Sequence, residues 1–578
     1  KLPLDDPKVY QLFAEGKTEA VFQFESRGMI GMLRDAKPTK LEDLIALNAL
    51  YRPGPMEEIP TFCARKHGRE PITYPHPILE ELLRETYGVI VYQEHVMQGA
   101  QILAGYSLGG ADMLRRAMGK KKPEEMAKQR ALFRDGAAKN GVTQAEADKV
   151  FDLMEKFSGY GFNKSHAAAY VLLAYHTAWL KAHCTAEFYA ANMTVELDNT
   201  DKLKVLLADA KQFGVSFEPP DVNRGAYRFE PVSDSVVRYG LCGIKGTGQG
   251  AIEAIIAVRD GKGDHEGEGG GPFRSLFDFA ARIDRQRVNK RVVEALIKAG
   301  AFDALHADRA SALASVSLAF DWADAQEINE HQGGLFDFDD SHAASTQEPA
   351  LVKAEPWSIK ERLTAEKAAL GFYLSGHLFE EYAPEVRQFC KRQIADLVDT
   401  GREPQVLAGI VSDLRVVNGT RGRTAIFRLD DGSEYIEAVA AEELYDANRE
   451  RLREDELVII QGKVQNDRFS GGLRLQCNAV WDLPSARARF GRYLSVALNG
   501  IGGKAPPVAD VIKTWPPRRV ESEQGQTQQG LAIRLQLQRE RAEGVLDLGD
   551  QARFWPSDEA LARWRTLAHE GRAAVVYE

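Results

Sequence analysis

The chain has 578 residues, a mass of 64.1 kDa, 44% apolar and 27% charged residues, and a formal net charge of −10. That balance excludes wholesale disorder and collagen-like structure, and at roughly 100–200 residues per domain it predicts about three to five domains. No uninterrupted apolar run reaches about 18 residues, which excludes a transmembrane helix, and the net acidity confines nucleic-acid binding to local patches.

The first residue is Lys1 rather than Met, so the chain is expected to begin inside a longer protein, and its opening is neither a signal nor a transit peptide. Cys63, Cys184, Cys242, Cys390 and Cys477 lie far apart without a C-x-x-C, which fits a reducing, cytoplasmic setting better than zinc or disulfide frameworks.

Residues 1–230 read mostly as helices, with apolar periodicity over 41–50, 77–84, 94–105, 123–139, 144–158 and 166–193. Arg52-Pro53-Gly54-Pro55 ends one helix, and Pro219-Pro220 marks a stop before an extended segment. Residues 238–305 read as a compact helical unit on short hairpins, with a helix over 250–259 and a Gly-rich insert at 260–272. Residues 321–348 carry eight acids and no Lys or Arg; a helix is expected to about 330 and a solvated linker beyond it. From 404 to 483 the pattern changes to strands at 405–417, 423–430, 434–440, 456–465 and 473–481, with a helix at 441–454, which is the element order of an OB-fold barrel. Residues 490–578 read as a small α/β domain with a helix near 557–570. The fold class is therefore multidomain α+β.

Local charge is highest at Arg115-Arg116-Ala117-Met118-Gly119-Lys120-Lys121-Lys122, where Gly119 is expected to break the helix and Pro123 to start the next. Two consecutive guanidiniums cannot face one core, so at least one points outward. The run reads either as a phosphate-binding surface or as a solvated helix end. The loop Ser158-Gly159-Tyr160-Gly161-Phe162-Asn163-Lys164-Ser165-His166 combines aromatic faces, polar tips and a following helix, which suits a nucleotide; the alternative is a helix start capped by Asn163 or Ser165. Gly243, Gly246 and Gly248 have helix-hairpin-helix spacing, and Lys245 adds charge for a DNA backbone; a simple turn is the other reading. In the strand region Arg415, Arg421, Arg423 and Arg428 give a local +4, with Phe427 and Phe469 as candidate stacking partners for single strands. Gln332, Leu335 and Phe336 form a short linear peptide in the acidic segment. Asp337-Phe338-Asp339-Asp340 has D-x-D spacing but lies in the expected linker, so no metal site is assigned.

V-F-Q-F-E-S-R-G-M (21–29), L-Y-R-P-G-P (50–55), R-K-H-G-R-E (65–70), Y-G-V-I-V-Y-Q-E (87–94), G-G-A-D-M-L-R-R-A-M-G-K-K-K-P-E-E-M (109–126) and G-Y-G-F-N-K-S-H-A-A-A-Y (159–170) closely resemble the bacterial replicative DNA polymerase III alpha subunit family. The likeness runs through almost the whole chain and is most specific to about 305. It implies fingers over 1–230, tandem helix-hairpin-helix motifs for duplex DNA over 231–320, a linker with a clamp-binding peptide over 321–350, and a helical connector over 351–403. It further implies a single-strand-binding OB-fold over 404–483 and a tau-binding-like domain over 490–578. Arg115, Arg116 and Lys120 fall on the triphosphate side, and Tyr160, Asn163, Lys164 and His166 on the base and sugar, with His166 a candidate for excluding a 2′-OH. DNA contacts fall on Gly243, Lys245, Gly246, Gly248, Arg421 and Arg423, and sliding-clamp contacts on Gln332, Leu335 and Phe336.

The implied activity is DNA-directed DNA synthesis from dNTP substrates. The catalytic Asp residues and their Mg²⁺ are expected upstream of this chain, which alone is expected to be inactive. Expected partners are primer-template DNA, single-stranded template, the beta sliding clamp and the tau clamp-loader subunit, with a proofreading exonuclease subunit reached through the N-terminal part. Two alternatives stand beside this reading: a non-catalytic DNA-binding and clamp-tethering protein, and the error-prone relative of the alpha subunit. His377-Leu378, where the family usually has His-Pro, is a small departure.

Overall fold

The structure, a computed structural model, describes residues 2–120, 123–158, 161–262, 270–332, 347–398, 403–419, 422–466, 472–499, 507–522, 525–539 and 542–577. They divide into two units, residues 1–354 with 369–372, and residues 355–368 with 373–578.

In the first unit, capping residues and apolar stripes fall where helices need them. Asp6 and Ser26 cap Pro7–Ala14 and Arg27–Ala36 by accepting from the backbone N–H groups of Lys8 and Met29. These helices, with Leu41–Leu50 and Lys164–His183, bury one cluster that includes Phe13, Phe24, Leu44 and Tyr175. A second cluster, with Val96, Leu103, Leu114, Phe133 and Phe151, joins Gln93–Ala104, Leu108–Lys120, Pro123–Lys139 and Gln144–Ser158.

One helix boundary matches expectation and one departs from it. Gly119 is the penultimate residue of its helix, which ends at Lys120, and Pro123 opens the next helix, as expected. The periodic stretch 166–193 is two helices, Lys164–His183 and Thr185–Val195, parted at Cys184. The fully buried Lys181 donates to the carbonyls of Lys17 and Glu19 and to Asp209 at 2.6 Å, and Tyr189 donates to the same Asp209 oxygen at 2.6 Å. On an unbroken helix those two residues would stand about 12 Å apart along the axis; the break lets them converge.

A small sheet follows, β1 (Ser216–Glu218), β2 (Glu230–Ser233) and β3 (Val236–Arg238) in the order β1-β3-β2; a strand precedes Pro219-Pro220, and turns come after them before β2, so the extended segment expected directly after the prolines starts only at Glu230. Next come Gln249–Asp260, Leu276–Arg282, Lys290–Lys298, Arg309–Ala314 and Val316–Gln332; Ser275, Asn289 and Asp308 cap the three middle ones. The acidic stretch therefore opens inside a helix. Ala319, Phe320 and Ala323 of that helix are buried, and Trp322 meets Phe277 edge-on at 5.7 Å. Its acids are also paired: Asp324 lies 3.0 Å from Arg285, Glu327 meets the same guanidinium, and Asp321 lies 3.3 Å from Lys290.

In the second unit, β4 (Pro404–Gly419), β5 (Gly422–Asp430), β6 (Tyr435–Ala441), β7 (Leu457–Asn466) and β8 (Leu473–Trp481) close a barrel in the order β4-β5-β6-β8-β7. Alternation does this: on β6, Ile436, Ala438 and Ala440 point inward. The helix expected over 441–454 is shorter, Glu442–Ala447, and stops at Asn448, whose side-chain amide donates to the Leu444 carbonyl.

Beyond the barrel, β9 (Gly491–Asn499) belongs to a second sheet. β10 (Arg518–Ser522) and β11 (Gly525–Gln529) form a separate hairpin. β12 (Ala532–Arg539), β13 (Ala542–Asp547) and β14 (Ala573–Tyr577) complete the sheet in the order β13-β12-β9-β14. Helix Asp558–Leu567 contributes the buried Trp564 to the core of this sheet.

Candidate nucleotide and nucleic-acid interface

The segment entering helix Lys164–His183 is held by several independent bonds. Asn163 is the N-cap: its Oδ1 accepts from the His166 N–H at 2.8 Å. The Gln93 side chain donates to the Gly161 carbonyl at 3.0 Å, and the Gln93 N–H donates to the Phe162 carbonyl at 2.9 Å. Glu94 accepts from the Lys164 N–H at 3.0 Å. The Lys164 ammonium meets Glu85 at 2.5 Å and lies over the Tyr92 ring. Contact with the buried His95, 3.6 Å away, and the Lys164 hydrogen bond hold the Glu85 carboxyl down at about 2 against the upward push of burial. Lys164 is thus already paired, and an incoming phosphate would compete with Glu85 for it. Tyr160 lies outside the described residues.

Arg115 and Arg116 share one carboxylate. Asp112 Oδ1 accepts from Arg115 Nε and Nη2 at 3.1 and 2.7 Å, and its Oδ2 lies 2.9 Å from Arg116 Nε. The hydrogen bonds from Arg115 come first in holding the Asp112 carboxyl below its usual range. Arg116 projects into solvent at 66% side-chain exposure against 26% for Arg115, in line with the argument from consecutive guanidiniums. The D-x-x-R-R spacing, i to i+3 and i+4, was a readable signal for Asp112 that sequence reasoning passed over. Lys121 and Lys122, and the Lys120 side chain, lie outside the described residues. Helix Gln93–Ala104 links the two halves of the site: its first turn holds 161–164, and its Val96, Ala100 and Leu103 share a cluster with Leu114 and Met118.

A row of rings, also missed from sequence, adjoins the loop. The His166 and Tyr170 rings stack at 4.5 Å with 30° between planes, and Tyr170 stacks on Phe22 at 5.6 Å and 29°. Phe162 meets His166 edge-on at 5.3 Å, and the Arg52 guanidinium lies over Phe162 at 4.2 Å.

The hairpin glycines play two roles. Gly246 and Gly248 have φ of +82° and +71°, with open space where a side chain would be. Gly243 instead packs against Tyr239, whose hydroxyl donates to its carbonyl. Lys245, expected to add charge for a DNA backbone, donates its backbone N–H to the Ala369 carbonyl at 2.8 Å, and its ammonium lies against Gly371. A cavity of about 1070 Å³ opens at this hairpin, lined among others by Thr194, Asp198, Tyr227, Arg228 and Gly248.

On the barrel the local +4 is largely offset. Arg415 pairs with Glu437 at 3.3 Å, Arg423 with Glu442 and Asp446 at 2.9 Å each, and Arg428 with Asp413 at 2.9 Å; Arg474 also binds Glu437. Phe427 is a core residue of the barrel, 1% exposed, so it offers no stacking face. Tyr435, 45% exposed with Arg428 stacked at 4.5 Å, is an open ring among the described residues of these strands that sequence reasoning missed. Arg421 and Phe469 lie outside the described residues. So do Leu335, Phe336, Asp337, Asp339, Asp340 and the Gln332 side chain; the Gln332 backbone ends its helix. Among the described residues no group of three or more His, Cys, Asp or Glu is placed to hold a metal ion, and no helix is long and apolar enough to cross a membrane.

Three segments of the chain match known family models. Residues 1–141 match the model of the bacterial DNA polymerase III alpha subunit finger domain, 214–312 a helix-hairpin-helix motif, and 405–483 an OB-fold nucleic acid binding domain. DNA polymerase III subunit alpha of Neisseria meningitidis serogroup B is 46% identical over 98% of this chain and 48% of its own length. The proteins of the same name from Vibrio cholerae serotype O1 and Escherichia coli K12 are 43% and 42% identical, each over 98% of this chain and 48% of their own length. The chain spans about half the length of the curated relatives it matches.

Proposed function

Because this chain belongs to the bacterial DNA polymerase III alpha subunit family, we propose that it supplies the nucleotide, DNA and clamp contacts of a replicative DNA polymerase. The observation that carries the reading is identity of 42–46% sustained over 98% of the chain, across the finger, hairpin and OB-fold segments together. In such an enzyme the primer 3′-OH attacks the α-phosphorus of a dNTP and pyrophosphate leaves. The protein's share is largely positioning and charge neutralisation. Arg115, Arg116 and Lys120 would face the triphosphate, and Tyr160, Asn163, Lys164 and His166 the base and sugar. The Mg²⁺ expected of the family is assigned to carboxylates outside this chain. Primer extension by the longer polypeptide that carries this chain, with dNTPs and Mg²⁺, tests the reading; failure to extend a primed template rejects it.

Gly246 and Gly248 would admit a duplex backbone, the barrel a single strand, Gln332-Leu335-Phe336 the beta clamp, and residues 490–578 the tau subunit. The proofreading subunit is assigned to the part of the protein outside this chain, and the cytoplasm is the proposed location. A clamp threaded on DNA makes rebinding intramolecular. Gln332→Ala with Phe336→Ala is therefore expected to abolish clamp binding while DNA affinity is kept, as measured by surface plasmon resonance. Unchanged clamp affinity rejects the peptide.

Glu437 holds two of the barrel arginines, so Glu437→Gln is expected to tighten single-strand binding. It should also steepen the log–log salt dependence by about 0.7 for each arginine freed to meet a phosphate. Titrations at two salt concentrations decide; an unaltered slope means that Arg415 and Arg474 do not face the strand.

A further inference from the structure

We propose that Tyr170, backed by Phe22, is a positioning residue that fixes the His166 imidazole, and that sugar discrimination at the nucleotide site depends on it. The inference rests on the reading of Asn163–His166 as that site. Its own support is geometric. His166 and Tyr170 are four residues apart, one turn of the same helix, and their rings lie nearly flat on each other at 4.5 Å. Both are exposed, so the stack does not come from core packing. Phe162 also meets the imidazole, in a T-shaped contact at 5.3 Å, so two rings pack on it.

The row is anchored from distant parts of the chain. Phe22 stacks on Tyr170, and its N–H donates to Thr177 Oγ1 of the same helix at 3.3 Å. The Arg52 guanidinium, from the turn after Leu41–Leu50, caps Phe162 at 4.2 Å. A ring that reads a 2′ position must hold its place to within a fraction of an ångström while a single hydroxyl is sensed. An exposed imidazole alone would rotate about two torsions; the stacked ring removes that freedom.

The test is the ratio of kcat/KM for dNTP over rNTP in the full-length subunit, with kcat and KM separated. Tyr170→Leu is expected to lower the ratio roughly two- to tenfold, the factor that a stacked aromatic pair is worth, mainly by improving use of the rNTP. Tyr170→Phe keeps the ring and should keep the wild-type ratio. Phe22→Leu should move the ratio in the same direction as Tyr170→Leu, and it serves as the readout if Tyr170→Leu fails to fold. In a His166→Ala background Tyr170→Leu should change nothing further. If His166→Ala shifts the ratio and neither leucine variant does, the positioning role is overturned while the site stands. If His166→Ala leaves the ratio unchanged, the nucleotide-site reading falls and the positioning role falls with it.

Discussion

Replacing Arg487 with alanine is expected to destabilise the unit of residues 355–368 and 373–578 by about 3–5 kcal/mol. The Arg487 side chain is 4% exposed. Its Nε and Nη2 donate to the two Glu385 oxygens at 2.7 Å each, and its Nη1 donates to Asp558 at 2.6 Å and to the Pro556 carbonyl at 3.2 Å. Glu385 also accepts from the Tyr577 hydroxyl at 2.6 Å. One guanidinium thereby ties helix Phe379–Val386 to the segment after the barrel and to helix Asp558–Leu567. Alanine would leave the Glu385 charge buried without its main partner, and an unpaired buried charge costs far more than the intact pair contributes.

The pH dependence gives a second readout. Burial pushes the Glu385 carboxyl up, but the bonds from Arg487 and Tyr577 outweigh it and hold the group below its ordinary value. A lowered folded-state value means a stability contribution present above the unfolded value and lost as pH falls through the folded one. In Arg487→Ala the push of burial is opposed only by the Tyr577 hydrogen bond and the more distant charge of Arg565, the weaker of the opposing causes. The carboxyl should then rise above its unfolded value, so that its contribution is present at low pH and lost as pH rises. Urea melts on both sides of neutrality measure this reversal. Arg487→Met with Glu385→Leu should recover much of the loss, because neither charge is then buried. A loss under about 1 kcal/mol for Arg487→Ala would mean that water enters and replaces the pair.

On the proposed polymerase reading, Arg115→Ala with Arg116→Ala is expected to lower kcat/KM for dNTPs by about 10²–10⁴, with DNA affinity changed much less. Each lost hydrogen bond to a charged group is worth about 1.5–3 kcal/mol, and each 1.36 kcal/mol is tenfold in rate. Both guanidiniums are oriented by Asp112, so Asp112→Asn, which keeps their charge but weakens their alignment, should fall between wild type and the double variant. Arg115→Lys should recover only part of the loss, since an ammonium cannot reproduce the planar fork. Equal losses in DNA binding and nucleotide use would move these residues from the triphosphate to the template. No loss in either would make them a solvated helix end.

Much of the fold was legible because its signals are local. Helices Pro123–Lys139 and Gln144–Ser158 fall on the spans that apolar periodicity predicts, and the barrel strands follow the alternation read between 404 and 483. The family was legible too, from motifs such as G-Y-G-F-N-K-S-H. Asn163 proved to be a cap, the structural role that the loop's sequence also allowed. Periodicity, capping and turn chemistry act over a few residues, so a linear reading captures them.

What the sequence by itself determined is thus the broad order of elements, several helix starts and the family. Only the tertiary structure decided which of the candidate residues remain open. Arg415, Arg423 and Arg428 counted as a basic patch until strand register and a neighbouring helix brought Glu437, Glu442 and Asp413 beside them. Phe427 became core because its strand faced inward there, and Lys245 gave its N–H to a carbonyl 124 positions along the chain. The row from Arg52 to Phe22 joins segments that no local pattern connects. Charge pairing and ring stacking act through space over a few ångströms, and which groups come within that range is fixed only when distant segments pack.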